Sequence, residues 1–456
     1  MSSLRPAVPP LAAVAEPVLP EAEAPPVWVP TRALSRAITL AGLLLVIGVV
    51  LGRTDVVLLA TPFVIGTAVS LRRRPAAAPD LALTLEAVNR VEGGDVLAEL
   101  EVINRDHVRY DLVLVRVRRS RWLRLDAADR PQGLAVDAGR TGLIALEGRG
   151  LRWGRHDLGP IAAAAAACDG LFTSAPVVLR PARIAVYPRT EPFQAVDAMP
   201  NAAGLVGGHR SRRPGQSGEL AGVRKFGPGD RLRRIDWRVS LRAGELHVAA
   251  TLSDRDAEVA LLLDVTAETG NSGGVDGGAS VLDTTVRAAA AIAEHYLHRG
   301  DRVSLLEYGP AARRPRAAAG RRQYLTVLEW LLEVRQQGSA GNGADPVAAH
   351  LVSSNALVVV LTPLLEPGAA EMLARLARSG RYVVAVDTLP SAGLSLPGGS
   401  PWVEQALRLW RLERENTLGR LREHGVPVVS WAGAGSLDLV LRDIARFAGA
   451  PRAGLR

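Results

Sequence analysis

The sequence predicts a multidomain chain: an N-terminal transmembrane helical hairpin, a β-sandwich-like domain and a C-terminal doubly wound α/β domain. Three observations support this prediction. Two uncharged apolar runs lie close together at 37–52 and 56–71. Residues 80–190 alternate apolar and polar side chains at the period of β-strands. Residues 251–450 alternate strand-like apolar runs with amphipathic helical segments, which is typical of a mostly parallel sheet.

The N-terminal region combines a tail with the hairpin. Residues 1–32 are rich in Pro and Ala without apolar periodicity, so we expect a disordered tail. The two runs within 33–74 are each shorter than the roughly 20 residues of an upright span, but flanking side chains can extend them. A signal peptide is disfavoured because the first run starts late and the second follows at once. A buried helix pair in a soluble domain remains an alternative.

Arginines flank the hairpin on both outer sides, at Arg32 and Arg36 before it and at 72–74 after it, whereas Arg53 in the turn is balanced by Asp55. Positive charge marks the cytoplasmic side of a membrane. The pattern therefore predicts a two-pass cell-membrane protein whose termini and soluble domains are cytoplasmic. A single cysteine is compatible with that reducing compartment.

Composition excludes several classes of function. The 456 residues carry 55 Lys and Arg against 46 Asp and Glu, a formal charge of +9. Lys225 is the single lysine and lies outside a Gly-Lys-Ser/Thr motif, so a Walker A phosphate loop is excluded. The lone Cys168 excludes an intrachain disulfide framework, Cys-based zinc sites and Cys-x-x-Cys redox chemistry.

The β-sandwich-like domain is expected to hold short strands at 81–88, 96–104, 111–117, 142–146, 177–179 and 183–187, with a Gly-Gly-Asp turn at 93–95. The run Ile161–Cys168 contains six alanines. Its propensity favours a helix and its context a strand, and we assign it as a strand.

A basic segment, 191–250, joins the two domains. Within it, residues 210–245 hold ten Lys and Arg and four Asp and Glu, a net charge of +6. A turn is predicted at 227–230, followed by a short helix through 231–237 that Asp230 can cap, with Ile235 and Trp237 as apolar anchors. Three interpretations compete: a connector held by Arg–carboxylate pairs, a docking surface for an acidic partner or phosphate, and a nucleic-acid surface.

The run from Gly218 to Ser240 resembles the signature of a bacterial family known as domain of unknown function 58. The elements of that signature are matched by Glu219, Arg224, Phe226, Gly229, Asp230, Arg234, Asp236, Trp237 and Ser240. Residues 152–160 and 169–172 also resemble the family, and the likeness extends over 33–450. It implies a membrane-anchored protein with a von Willebrand factor A-like domain and a MoxR-type AAA+ ATPase as partner. The nine signature residues are then the predicted partner-binding surface.

The α/β domain is predicted from the residues themselves. Strands are expected at 259–264, 302–308, 356–362, 382–387 and 426–430, and helices at 281–298, 321–337, 369–379, 402–424 and 437–448. Ligands of such sheets bind at the carboxyl ends of the strands. Asp264 ends the first strand and therefore lies at that edge.

The resemblance also implies a metal-ion-dependent adhesion site at this edge, where an Asp-x-Ser-x-Ser run supplies oxygen ligands to Mg²⁺. Asp264 and Thr266 fit the first two positions, and Glu268 replaces the last serine. Thr362 stands where such a site often has an Asp, and the usual middle Thr has no clear counterpart. The sequence therefore predicts a degenerate site, with Mg²⁺ as the single candidate cofactor.

The sequence favours a non-enzymatic, membrane-tethered adaptor or scaffold that works with a MoxR-type AAA+ ATPase in protein complex assembly or maturation. Two alternatives stay open. One is a metal-assisted hydrolase that uses Asp264, Thr266 and Glu268. The other is binding of anionic lipid or nucleic acid through 210–245 and 72–74. Nucleic acid is the less expected partner because residues 246–456 carry no net charge.

Overall fold

The structure is a computed structural model of the chain. It describes residues 28–126, 130–190, 214–227, 235–252, 258–310, 313–338, 352, 356–389 and 402–431. The chain divides into two compact units, Met1–Tyr187 and Pro188–Arg456. The predicted tail up to residue 27 and the predicted helix at 437–448 lie outside the described residues.

Two helices form a hairpin at the start of the first unit: α1 (Arg32–Val50) and α2 (Thr54–Arg72). Both are 19 residues long and apolar enough to cross a membrane. In α1 the buried residues are Leu34, Ala41 and Gly48, at a spacing of seven, so they lie on one face of the helix, where Leu34 joins the core of the strands. A Cβ on Gly48 would lie 2.7 Å from a Val57 methyl carbon, so this position requires glycine for the helices to approach.

Large apolar side chains lie exposed on the outside of the hairpin. Leu43, Val46, Leu58, Leu59 and Ile65 are all more than half exposed. An apolar surface of this extent is what a lipid-facing helix pair presents, whereas a helix pair in a soluble core buries such side chains. The predicted hairpin is therefore confirmed as two apolar helices long enough to span.

The rest of the first unit is built from strands. They are β1 (Trp28–Pro30), β2 (Asp80–Leu85), β3 (Asn89–Val91), β4 (Asp95–Ile103), β5 (Tyr110–Val117), β6 (Leu123–Leu125), β7 (Gln132–Val136), β8 (Thr141–Gly150), β9 (Gly154–Leu158), β10 (Ile161–Ala167), β11 (Phe172–Ser174), β12 (Val177–Leu179) and β13 (Ala182–Tyr187). Described residues form three sheets, ordered β1-β11-β10-β5-β7 with β12 on β10, β2-β4-β8-β6, and β3-β13-β9. Their inward side chains share one hydrophobic core.

The alanine run is a strand, as predicted. In β10, alternate residues from Ile161 to Ala167 are buried, and the strand pairs antiparallel with β5 from Val117 to Tyr110. Helix propensity is worth less than 1 kcal/mol per residue. Seven residue pairs with β5 and a thin, fully buried face outweigh it here.

One prediction for the N-terminus needs correction. Trp28–Pro30 was assigned to the tail by composition, but these residues form β1, which pairs with β11. The Trp28 indole is 2% exposed and donates through Nε1 to the Ala77 carbonyl at 2.8 Å. The available signal was a tryptophan at the end of the Pro-rich stretch, because burial of its large ring stabilises an ordered strand.

Both ends of the hairpin are attached to the β-strands by a polar junction. Before α1, the Thr31 hydroxyl donates to the Gly170 carbonyl at 2.9 Å. After α2, the Arg74 guanidinium donates to the Trp28 carbonyl at 3.0 Å. Asp106, which is 5% exposed, accepts from the Ala76 and Ala77 amides at 2.5 and 2.7 Å. The strands are therefore held firmly to the hairpin.

The second unit contains a two-stranded antiparallel sheet, β14 (Pro214–Lys225) with β15 (His247–Leu252), connected in part by α3 (Trp237–Ala243). Of the helix predicted at 231–237, residues 231–234 lie outside the described residues and its end needs correction: α3 starts at Trp237, and its cap is Asp236. Asp230 lies outside the described residues. Ile235 is buried as an anchor, but Trp237 is 62% exposed and is not one.

The second unit also contains a parallel sheet made of β16 (Glu258–Asp264), β17 (Arg302–Tyr308), β18 (Leu357–Thr362), β19 (Tyr382–Asp387) and β20 (Val428–Ser430). Among the described residues the order is β17-β16-β18-β19-β20, and every pairing is parallel. The helices are α4 (Val281–His298), α5 (Arg321–Leu331), α6 (Pro367–Arg378) and α7 (Val403–Glu423). The predicted alternation of strands and helices is confirmed.

Candidate functional site

The parallel sheet has a topological switch point at the carboxyl ends of β16 and β18. The chain leaves β16 towards β17 on one side and returns to β18 on the other side. Loops diverge where strand order reverses, so this edge is where open α/β sheets bind ligands. Asp264 ends β16 and Thr362 ends β18, and both are buried.

Asp264 connects these two strand ends. Its Oδ2 accepts from the Thr362 hydroxyl at 2.6 Å. Its Oδ1 accepts from the Thr266 hydroxyl at 2.6 Å and from the Thr266 amide at 3.0 Å. One carboxylate and two hydroxyls thus converge at the switch point, as the sequence predicted for Asp264 and Thr266.

The environment of Asp264 disfavours its negative charge. Burial raises its pKa, and the nearby carboxylate of Glu366 acts in the same direction, while the hydrogen bonds from Thr266 and Thr362 oppose the shift. A cation at this position would remove that penalty by supplying the missing opposite charge. The arrangement is therefore chemically suited to an oxygen-ligating metal ion.

Glu268 is engaged at the start of α4. Its Oε2 accepts from the Leu282 amide at 3.0 Å, in the first turn of the helix, where a carboxylate is favoured by the exposed amides. Ser280 and Asp283 complete the same helix end as a capping box. Among the described residues, no cluster of three or more His, Cys, Asp and Glu side chains is arranged to hold a metal. Any ion at this edge would depend on the single carboxylate of Asp264, threonine hydroxyls and water.

Two neighbouring strand ends carry ion pairs that the sequence analysis did not single out. At the end of β19, Asp387 accepts from Arg414 of α7 at 2.7 Å, with the two side chains 13% and 11% exposed. At the end of β17, Glu307 is fully buried and is bound by Arg313. A charged residue directly after an apolar strand run was the available signal in both cases. Among the described strands, β16 and β19 therefore end in an aspartate, and β17 carries Glu307 one residue before its end.

The signature residues within the described part of the chain fall into two groups, and the first positions α3. The Asp236 carboxylate caps the helix by accepting from the Arg238 and Val239 amides at 3.1 Å. The Ser240 hydroxyl donates to the Asp236 carbonyl at 2.7 Å and accepts from the His247 amide at 2.8 Å. Asp236 and Ser240 therefore fasten α3 to β15.

The second group is displayed by that helix. Trp237 is 62% exposed, and Leu241, four residues later on the same face, is 82% exposed. Phe226 is half-buried, and its amide donates to the Leu246 carbonyl at 2.9 Å. Gly229, Asp230 and Arg234 lie outside the described residues, and for Glu219 and Arg224 the structure describes the strand only.

Lys225 and Glu245 form an ion pair across the β14–β15 sheet, on side chains 73% and 56% exposed. This is one charge pair of the kind the connector interpretation predicted. Because both side chains are exposed, water and salt screen the attraction between them. The pair therefore adds little to what the Asp236 and Ser240 contacts provide.

The chain thus combines two candidate membrane spans, a strand-rich unit and a parallel α/β region with a capped signature helix. Residues 222–406 match the family described as protein of unknown function DUF58. The match confirms the resemblance for the second half of the signature and for most of the α/β region.

Three curated relatives are uncharacterized proteins, two from strains of Mycobacterium tuberculosis and one from Mycobacterium bovis. Each is 28% identical over 201 residues, covering 42% of this chain and 62% of the relative. The match therefore spans less than two thirds of the relatives' length.

Solved structures give weaker likenesses. The cupredoxin domain of amoB from Nitrosocaldus yellowstonii is 10% identical, with 27% of this chain and 93% of that chain covered and a TM-score of 0.17. The sporulation control protein Spo0M from Bacillus subtilis is 12% identical, with 33% and 58% covered and a TM-score of 0.14. Scores this low carry no argument about the fold.

Proposed function

We propose that the chain is a membrane-tethered, non-enzymatic adaptor whose C-terminal α/β domain is von Willebrand factor A-like and recruits a partner protein. The observation that carries the proposal is the exposure of Trp237 on a helix that the Asp236 cap and the buried Ser240 side chain hold in place. A tryptophan is costly to expose, and exposed, rigidly held tryptophans are enriched among residues that dominate binding energy. Leu241 extends the same apolar surface.

The resemblance to the signature supplies the expected partner, a MoxR-type AAA+ ATPase acting in protein complex assembly or maturation. The hairpin supports a tethered role, since its outer face is apolar. The arginine pattern at 32–36 and 72–74 supports placing both termini and the soluble domains in the cytoplasm. There the signature helix would meet a cytoplasmic ATPase.

Trp237→Ala should weaken capture of the ATPase at least about 10-fold, as expected when a hot-spot side chain worth about 2 kcal/mol is removed. The assay is co-purification from detergent-solubilised membranes that contain this chain and a MoxR-type ATPase, with and without ATP. Trp402→Ala is the matched control, because Trp402 is also exposed, at 72%, but starts α7. Equal capture by all three chains, or no capture at all, would contradict the proposal.

A second, separable proposal is that Mg²⁺ binds at the switch point. The donor set fits a hard cation: the Asp264 carboxylate and the hydroxyls of Thr266 and Thr362, with water completing the shell. When bound, Mg²⁺ would supply a positive charge and a coordination position for a carboxylate of the partner. The Thr266 and Thr362 hydroxyls hold the Asp264 carboxylate in a fixed orientation for that contact.

Asp264→Asn should weaken Mg²⁺ binding at least about 10-fold, because the charged ligand is lost while the side-chain shape is kept. Isothermal titration of MgCl₂ and MnCl₂ into the full chain in nanodiscs measures this directly. Glu404→Gln is the control, since Glu404 is exposed on α7 and removes the same charge. No metal uptake by the unaltered chain would end this second proposal and leave the Trp237 result standing.

A further inference from the structure

An arginine-rich surface lies on the first unit, at the end of the strands opposite the hairpin. The strand β5 starts at Tyr110, whose hydroxyl donates to the Ala77 carbonyl just after the hairpin. It ends at Val117, seven residues on, or about 24 Å at the rise of an extended strand. Strand β8 runs the same way, from Thr141, paired with Ile103, to Gly150. The segments that follow these two strands are therefore both far from the membrane spans.

Two acid-free runs meet at this far end. Residues 112–125 contain five arginines and residues 148–155 contain three, with no Asp or Glu in either run. The runs are joined by pairing of β6 with β8, which puts Arg124 directly opposite Arg149. Seven of these eight arginines have exposed side chains, and the eighth, Arg152, is half-buried. The eight are Arg116, Arg118, Arg119, Arg121, Arg124, Arg149, Arg152 and Arg155. Arg149 also pairs with Asp95 at 3.9 Å, on side chains 46% and 77% exposed, which offsets part of the repulsion between the two facing arginines.

Two tryptophans hold guanidinium groups in place on this surface. The Arg121 and Arg152 guanidiniums lie 4.6 and 5.2 Å from the Trp122 ring centre, and Arg152 lies 5.0 Å from that of Trp153. Trp153 is buried, and its amide donates to the buried Glu92 carboxylate at 3.0 Å. Stacking on Trp122 fixes the Arg121 guanidinium, whose planar fork suits bidentate contacts with a carboxylate.

We propose that this distal arginine surface, formed by 118–124 and 149–155, binds an acidic protein segment. The forked N–H edges match carboxylate pairs, and the charge of the two runs has the complementary sign. Membrane lipid is disfavoured because the hairpin holds the opposite end of the strands at the bilayer. Nucleic acid is disfavoured because base stacking needs open aromatic faces, whereas Trp122 carries two guanidiniums and Trp153 is buried.

The test uses the full chain in phosphatidylcholine nanodiscs and a fluorescein-labelled dodecapeptide of alternating Glu and Leu, measured by anisotropy. Arg118→Gln/Arg121→Gln should weaken peptide binding at least about 10-fold, as loss of two charge-assisted contacts implies. The control, Arg105→Gln/Arg109→Gln, removes the same charge at the hairpin end, where these arginines pair with Asp80 and Asp137. It should change binding less than about 2-fold.

Three outcomes would overturn the proposal. The first is failure of the peptide to bind the unaltered chain. The second is an equal loss of peptide binding in the two double variants, which would indicate non-specific attraction. The third is tighter binding of a 12-nucleotide single-stranded RNA, which then displaces the peptide. Arg121→Lys is a further test that keeps the charge. It should measurably weaken binding of the peptide, because lysine lacks the planar fork that stacks on Trp122.

Discussion

Asp106→Ala should release the junction between the hairpin and the strands of the first unit. The two Asp106 oxygens accept four backbone amides, those of Ala76, Ala77, His107 and Val108, at 2.5 to 3.3 Å. Alanine leaves all four donors without this acceptor at a site where Asp106 is 5% exposed. Each unsatisfied buried group costs about 1–3 kcal/mol, so we expect a local loss of about 4 kcal/mol once water satisfies some of them.

Hydrogen exchange of the full chain in nanodiscs measures this loss directly. The amides of 76–77 and 107–108 should exchange at least about 100-fold faster in the variant, the equivalent of about 2.7 kcal/mol. Asp106→Asn keeps one acceptor oxygen and should give an intermediate effect. Asp80→Ala is the control, because the Asp80–Arg105 pair is exposed and contributes less than about 1 kcal/mol. Unchanged protection at 76–77 would show that other contacts hold the junction.

The junction also shows what the sequence could not predict. The apolar runs at 37–52 and 56–71 predicted two helices, and helices form there with ends at most five residues away. Their attachment depends on partners far away in sequence, such as Thr31 with Gly170 and Arg74 with Trp28. Periodicity reports which face of an element is buried, but not which distant backbone carbonyl will accept a side-chain donor.

In the second unit, the strands of the parallel sheet were the easier elements to predict from the sequence. Strands ending at Asp264, Tyr308 and Asp387 were predicted to the residue, because continuous apolar runs with abrupt polar ends are typical of buried parallel strands. The strand order is not in the local pattern. It follows from which crossovers pack together, so the contact between Asp264 and Thr362 could not be derived from either residue alone.

The signature gave a mixed result for a physical reason. Trp237 follows an isoleucine and an aspartate, and an aromatic residue in such a run is more often buried than exposed. The structure instead uses Ile235 as the buried residue and Asp236 as the helix cap, which turns Trp237 outward. Asp236, which can cap a helix six residues later than the predicted cap Asp230, was the signal that would have distinguished the two.

Arg414→Met should destabilise the carboxyl edge of the parallel sheet by about 3–5 kcal/mol, the usual cost of removing one partner from a buried ion pair. The Arg414 guanidinium donates to the Asp387 carboxylate at 2.7 Å and to the Pro363 carbonyl at 2.6 Å. It also lies 5.5 Å from the Trp410 ring centre. Methionine fills much of the volume but leaves the Asp387 carboxylate, 13% exposed, without its cation.

The expected readout is hydrogen exchange across β18, β19 and α7 of the full chain in nanodiscs. Arg408→Met on the same helix is the control: its pair with Glu404 is exposed on both sides and should contribute no more than about 0.5 kcal/mol. Adding Asp387→Asn to Arg414→Met should recover at least about 1 kcal/mol, because the unpaired charge is then gone. If Arg408→Met and Arg414→Met have equal effects, the pair does not secure this edge.

The same variant connects stability to the proposed metal site. Pro363 follows Thr362 directly, and the Thr362 hydroxyl both donates to Asp264 and accepts from the Leu364 amide at 3.0 Å. Leu364 adopts a left-handed conformation, φ +52°, which is strained for a branched side chain and needs support from its surroundings. Arg414 provides that support through the Pro363 carbonyl. Arg414→Met should therefore also weaken Mg²⁺ binding about 10-fold, without touching a ligand, because Thr362 is no longer held in position.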